Sequence, residues 1–293
     1  MTDYKLQFQE DLELVNRALD NYMSLEAGPA QYMADAMEYS VAAGGKRLRP
    51  MLVLEFCRMC GGDPVKALPF ACALELIHTS SLVHADMPAM DNDEYRRGKL
   101  STWKKYGENF GLLAGDALEM YAFQVASTAA VDPSVTLECI RILAEESGVM
   151  GMLGGQCLDE QNETLENVTV DRLYATHKRK TAALIQCACE MGCVAAGATA
   201  EQRQVARDYG EALGIAFQVE DDILDVVADE TVLGKPVGSD AESNKATYVT
   251  LLGLEASREK AQDYTEKAYA ALDAFEDNAF LKQLTKELLE RDR

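Results

Sequence analysis

The stretch Phe217-Gln218-Val219-Glu220-Asp221-Asp222-Ile223-Leu224-Asp225 places three aspartates where a helix would otherwise carry its buried stripe. Counting back by fours from Asp225 meets Asp221, Phe217 and Leu213, so two acids continue an apolar row along one face of an expected helix. An ionised carboxylate buried alone costs roughly several kcal/mol, and two on one face repel, so such a face calls for cations. Oxygen ligands on a rigid helix suit magnesium, which takes one or two carboxylates and completes its octahedron with waters and phosphate oxygens. A solvated face of an acidic protein has the same composition, and both readings stand at this point.

A second cluster runs His84-Ala85-Asp86-Met87-Pro88-Ala89-Met90-Asp91-Asn92-Asp93-Glu94-Tyr95-Arg96-Arg97-Gly98-Lys99. Acids and arginines alternate here, on an expected helix, within one or two turns. A phosphate-bearing ligand gripped by magnesium on one side and guanidinium groups on the other requires that adjacency, because Arg presents a planar fork matched to phosphate oxygens. Exposed salt bridging would give the same pattern.

Of 293 residues, 48% are apolar and only seven are proline, with no low-complexity tract, which predicts a single folded unit with a large core over 1–293. The net charge of −21 argues against nucleic acid or an anionic membrane surface as the general partner. The basic groups at 46–49, 96–99 and 178–180 stand out against it. Eight cysteines with no signal peptide and no apolar run of about 18 residues predict a reduced, cytoplasmic protein without membrane insertion. Cys57-x-x-Cys60 lacks a second pair at zinc-finger distance and reads as core thiols, and three histidines without i, i+4 spacing offer no helical zinc site.

Along the chain, residues 4–25 carry helical periodicity. In Gly44-Gly45-Lys46-Arg47-Leu48-Arg49-Pro50 the glycines end one helix and the proline opens the next, leaving three cations on a turn or helix N-terminus, either an anion site or a basic loop. A buried helix is expected from Pro69 into the first acidic cluster, with His78 open to either a core or a ligand role. Further helices are expected over 112–127 and 134–147. The glycines of 150–159 lack a nucleotide-binding spacing and read as close helix packing, followed by a polar connection from Asp159 to Val170. Thr169 caps a helix running through 177–181 to about Ala195, and Thr199-Ala200-Glu201-Gln202 is a capping-box pattern opening the helix of the second cluster. A polar loop over 232–240 precedes two charged helices. No alternating strand pattern of any length appears.

GGKRLRP (44–50), the first cluster with RRGK (96–99), GGQ (154–156), HKRKT (177–181), FQVEDDILD (217–225) and GKPVGSD (234–240) resemble, in that order, the motifs of the trans-isoprenyl diphosphate synthases. The resemblance covers most of the chain. It implies an all-α bundle around a deep central cavity, a homodimer, Mg2+ as cofactor, and condensation of isopentenyl diphosphate with an allylic diphosphate to a C15–C20 prenyl diphosphate. By the same resemblance Lys46, Arg49, His78 and Arg97 hold isopentenyl diphosphate, and Arg96, Lys180 and Lys235 grip the allylic diphosphate. Thr181 and Gln218 line the path of the reacting carbons. Asp91, Asp221 and Asp225, together with Asp86, form the implied magnesium-ligand set. Ser80 and Ser81, small residues one turn before the first motif, would face the growing chain.

Two departures qualify the match. The family's first motif reads DDxxxxD, whereas Ala85 stands here where its first carboxylate belongs, and Glu220 adds a negative charge ahead of the second motif. Ala85 leaves two alternatives beside the elongating enzyme: a weak or inactive diphosphate-binding subunit, and a class I terpene cyclase, whose second metal motif is ordinarily not DDxxD.

Overall fold

Residues 3–227 and 246–289 are described by a computed structural model. The chain divides into two compact units, Met1–Ile140 with Val194–Gly197, and Arg141–Cys193 with Ala198–Arg293.

The first unit is built on α4 (Pro64–Ala85), which Asp63 caps by accepting from Val65 N at 3.0 Å. Its middle, Phe70 to Ile77, is buried on every side. The helix begins five residues before Pro69 because the Asp63-Pro64 pair supplies both a cap and a proline fitted to the first turn, and Pro69 lies inside it. Around it stand α1 (Asp3–Met23), α2 (Gln31–Val41), α3 (Leu48–Met59), α5 (Thr102–Tyr106) and α6 (Glu108–Ala126), with α7 (Pro133–Ser147) following. α1 shows how the sequence selects this packing. Asp11, Val15, Leu19 and Met23 recur every four residues and are its buried set, with Asp11 accepting from Arg58 Nη2 at 3.0 and 3.2 Å.

The segment after α4 corrects the expected helical placement of the first cluster. α4 ends at Ala85, the chain turns through Pro88, and β1 (Tyr95–Arg96) pairs antiparallel with β2 (Lys99–Leu100). Arg97 and Gly98 both take positive φ, +53° and +77°, as a two-residue hairpin turn of this hand requires. Strands of two residues are too short to show alternation, so periodicity missed them.

In the second unit, α8 (Met152–Thr164) runs past Asp159, so the expected polar connection shrinks to 165–169. Thr169 accepts from Arg172 N at 3.2 Å and caps α9 (Val170–His177). A π-helical turn, Lys178–Ala182, then joins α9 to α10 (Ala183–Ala195). α11 (Ala200–Val227) opens on the expected capping box: Gln202 N donates to Thr199 Oγ1 at 3.2 Å, and Thr199 N to Gln202 Oε1 at 3.0 Å. Leu173, Ile215, Val219, Ile223, Tyr248 and Ala261 form a core cluster here. The expected two terminal helices are three among the described residues: α12 (Tyr248–Leu252), α13 (Leu254–Leu272) and α14 (Ala279–Leu289). Gly253, at φ +83°, breaks the first two apart.

Candidate active site

In the first unit the GGKRLRP turn closes around a cation that does not face solvent. Arg47, left-handed at φ +50°, points inward and is 5% exposed. Its guanidinium donates to Glu75 Oε1 (2.9 Å), Asn16 Oδ1 (3.0 Å) and the Val41 carbonyl (2.9 Å). Of the three cations in the motif, this one is therefore a strut, a role its spacing could not reveal. Arg47→Ala strands buried Glu75 and is expected to cost about 3–5 kcal/mol, readable as a fall in the denaturant midpoint at unchanged slope.

Arg97 lies directly over the same turn. A Cβ on Gly45 would sit 2.6 Å from Arg97 Nη1, and Gly45 itself is at φ +141°, so only glycine fits. His78 on α4 is pushed well below its ordinary pKa by burial and then by Arg49, Arg97, Arg47 and Arg96. It is therefore neutral, with four guanidinium groups acting on it. In a chain of net charge −21 this is a concentrated cationic site, built from three separate stretches of sequence.

The first acidic cluster adjoins it. Asp86, 3% exposed, takes Arg96 Nε on Oδ1 at 2.8 Å and the same guanidinium's Nη2 on that oxygen as well, while Nη2 also reaches Asp93 at 3.3 Å. Burial raises the Asp86 carboxyl pKa and Arg96 opposes the rise. Asp91 is exposed, and its N–H donates to the Ala85 carbonyl at 2.9 Å, which folds it back beside position 85. Neither serine of the upstream turn presents an uncommitted hydroxyl: Ser81 Oγ donates to the His78 carbonyl at 2.8 Å and Ser80 Oγ to Glu119 Oε1 at 3.2 Å.

In the second unit the π turn carries Lys180 and Thr181. π turns inside α-helices recur at functional sites because the extra residue changes which side chains share a face. Here Lys180 Nζ lies 2.5 Å from Asp159 Oδ2, and Thr181 Oγ1 donates to Gln218 Oε1 at 3.1 Å. A Cβ on Gly155 would fall 2.1 Å from Lys180 N, so the second glycine of GGQ lets α8 press against the turn and bring Asp159, one helical turn on, to the lysine. The close-packing reading of the glycines is the geometry found. Asp159 was missed, although its i+4 relation to Gly155 was the available signal.

Asp221 and Asp225 stand one turn apart on α11, Asp225 at 3% exposure. Asp222, between them, serves the fold, since its Oδ2 accepts from Tyr248 N at 2.8 Å and holds the start of α12. Among the described residues no three ligating side chains converge. A hard cation held by Asp221 and Asp225 would thus draw its remaining ligands from water and substrate, which is how magnesium is ordinarily bound. Position 85 offers a methyl group, Asp86 is engaged by Arg96, and Asp91 is exposed. Lys235 and the 234–240 motif lie outside the described residues.

The polyprenyl synthetase family profile matches residues 30–288. The chain belongs to the polyprenyl synthetase family. It is 42% identical over 287 residues to the farnesyl diphosphate synthase of Geobacillus stearothermophilus, covering 97% of this chain and 96% of that protein. Two solved members of this fold match it closely. The geranylgeranyl pyrophosphate synthetase of Pyrococcus horikoshii superposes with a TM-score of 0.91 at 29% identity, over 99% of each chain. The geranyltransferase of Helicobacter pylori, solved with magnesium and isoprenyl diphosphate, gives 0.84 at 32%, over 99% of this chain and 97% of that one. The polyprenyl synthetase chain is accordingly a trans-prenyltransferase with the all-α isoprenoid synthase fold. No described helix is long and apolar enough to cross a membrane.

Proposed function

We propose that this trans-prenyltransferase condenses isopentenyl diphosphate with an allylic diphosphate, giving C15–C20 prenyl diphosphates, at a turnover lowered by Ala85. The observation that carries the reading is that Arg49, Arg96 and Arg97 act on His78 in a strongly acidic chain, with Arg47 behind them as the strut to Glu75. Such a site suits a small polyanion and little else.

In this reading Lys46, Arg49, His78 and Arg97 bind isopentenyl diphosphate, while Arg96, Lys180 and Lys235 take the allylic diphosphate. The guanidinium and ammonium groups stabilise charge that gathers on the departing diphosphate, and the isopentenyl double bond attacks the allylic carbon. The proton released in forming the new double bond passes to the diphosphate. Thr181 and Gln218, hydrogen-bonded to one another, form a polar edge beside the reacting carbons. Asp221, Asp225 and Asp91 would hold Mg2+, which supplies Lewis-acid charge stabilisation to the diphosphate oxygens.

The family match from 30 to 288 spans both units, which supports one functional domain. A homodimer is supported by Leu112, Leu113 and Met120, apolar and 44–65% exposed along α6. Six of the eight cysteines are buried, among them Cys57, whose thiol burial raises to about 11, while Cys60 of the same CxxC is half-buried rather than a core thiol and Cys157 is exposed.

Labelled isopentenyl diphosphate, an allylic diphosphate and magnesium, followed by product analysis, test the reaction, since elongation, cyclisation and binding alone leave different products. Binding without elongation would favour the second reading, a weak diphosphate-binding subunit, which Ala85 and the Arg96–Asp86 pair support. Arg97→Ala is expected to weaken isopentenyl diphosphate binding about 10–100-fold, the worth of a charged hydrogen bond. Unaltered affinity in a calorimetric titration would remove Arg97 from the site.

A further inference from the structure

The acidic loop after α4 is exposed at Ala89 and from Asp91 to Glu94, and Asn92 within it is left-handed at φ +55°. An exposed loop carrying a non-glycine residue in that region keeps one shape only where surrounding contacts hold it. Two consecutive residues of α5 supply such contacts. Trp103 donates its indole N–H to the Asp93 carbonyl at 2.9 Å, and Lys104 Nζ meets Glu94 Oε1 at 2.6 Å. The lysine pair is exposed on both sides and contributes little, so the indole bond is the tie that counts. Its anchorage is firm. A Cβ on Gly111 of α6 would lie 2.8 Å from Trp103 Cβ and 3.1 Å from Met87 Sδ, so this glycine lets α6 seat both the tryptophan and the start of the loop.

What the tie fixes is a charge. The Asp93 carboxylate takes Arg96 Nη2 at 3.3 Å, and buried Asp86 holds the same guanidinium from its other side through Nε at 2.8 Å. The indole grips Asp93 by its backbone and Asp93 grips Arg96 by its side chain, so the seating of the tryptophan passes in two steps to the guanidinium. Arg97, the next residue, leaves this path, since it lies over Gly45 on the GGKRLRP turn. We infer that Trp103 is a positioning residue that sets Arg96 for the allylic diphosphate by way of Asp93. The inference rests on the proposed diphosphate reading and adds to it a residue that acts at one remove from the ligand.

The test separates the two. Geranyl diphosphate with magnesium, and isopentenyl diphosphate alone, are titrated by calorimetry in separate experiments, so that no turnover occurs. Trp103→Phe keeps a ring against Gly111 and removes the donor. It should weaken geranyl diphosphate binding about 3–10-fold, the worth of one hydrogen bond, and leave isopentenyl diphosphate binding unchanged. Trp103 is the only tryptophan of the chain, so expression with the sulfur isostere benzothienylalanine removes the N–H at this position alone, keeps the ring volume, and should give the same split. In an Asp93→Ala background the phenylalanine change should have no further effect, because the step to Arg96 is already cut. Unchanged geranyl diphosphate affinity in both tryptophan replacements, a loss shared equally by the two ligands, or full additivity with Asp93→Ala would overturn the role of Trp103 alone. An unaltered chain that binds neither ligand would overturn the diphosphate reading, and this inference with it.

Discussion

Ala85→Asp should raise the rate of prenyl elongation by one to several orders of magnitude. Losing a residue that merely supports a metal ligand commonly costs about 10–100-fold in affinity or activity, and a missing ligand should cost at least as much, so its return should recover that factor. The geometry favours recovery. Asp91 N bonds the Ala85 carbonyl at 2.9 Å, so the turn after α4 already brings residue 91 beside position 85, and a carboxylate there would gain a neighbour able to share a cation. Asp86 is a poor replacement. One step along a helix turns its side chain by about 100°, and its Oδ1 receives Arg96 through both Nε and Nη2. Single-turnover rates and Mn2+ titration of both proteins check this. An equal rate, or high activity with Ala85 in place, would mean that Asp86 or Asp93 serves as ligand despite the Arg96 contact.

What the sequence disclosed and what it withheld follow one physical division. Helix placement was legible because burial imposes periodicity: Thr169 and Thr199 were readable as caps, and α11 as the carrier of the second cluster, since those signals lie within four residues of one another. Features that depend on contacts between distant segments, or that are too short to carry a period, were not. Arg47 looks like its neighbours Lys46 and Arg49, and only its bonds to Glu75 and Asn16 mark it as a strut. The hairpin of Tyr95 to Leu100 rests on two positive-φ residues and on strands of two residues each, too short for pattern recognition. The π turn at 178–182 has no composition of its own. It becomes visible only through what it does, which is to bring Lys180 to Asp159 and Thr181 to Gln218.

Gly155→Ala tests that turn with a single methyl group. The added Cβ would lie 2.1 Å from Lys180 N, 2.5 Å from Lys180 Cα and 2.6 Å from the Arg179 carbonyl carbon. All three are backbone atoms, so no side chain can rotate away, and α8 must withdraw from the π turn to restore ordinary contact. Overpacking of this kind costs about 1–3 kcal/mol of stability. The larger consequence falls on rate. Asp159 sits one turn beyond Gly155 on the helix that moves, and Lys180 Nζ is held to it at 2.5 Å, so the lysine loses its support. Misplacement of a charged group by about 1 Å can cost about 100-fold, and a fall of that size in elongation rate is expected while the protein remains folded. Thermal melts and single-turnover rates separate the two effects. A stability loss in that range with an unaltered rate would show that the support of Lys180 by Asp159 does not matter to the chemistry. A proportionate fall in Gly155→Ala and in Asp159→Ala would place the glycine, the aspartate and the lysine in one unit, because residues acting together lose their function together rather than additively.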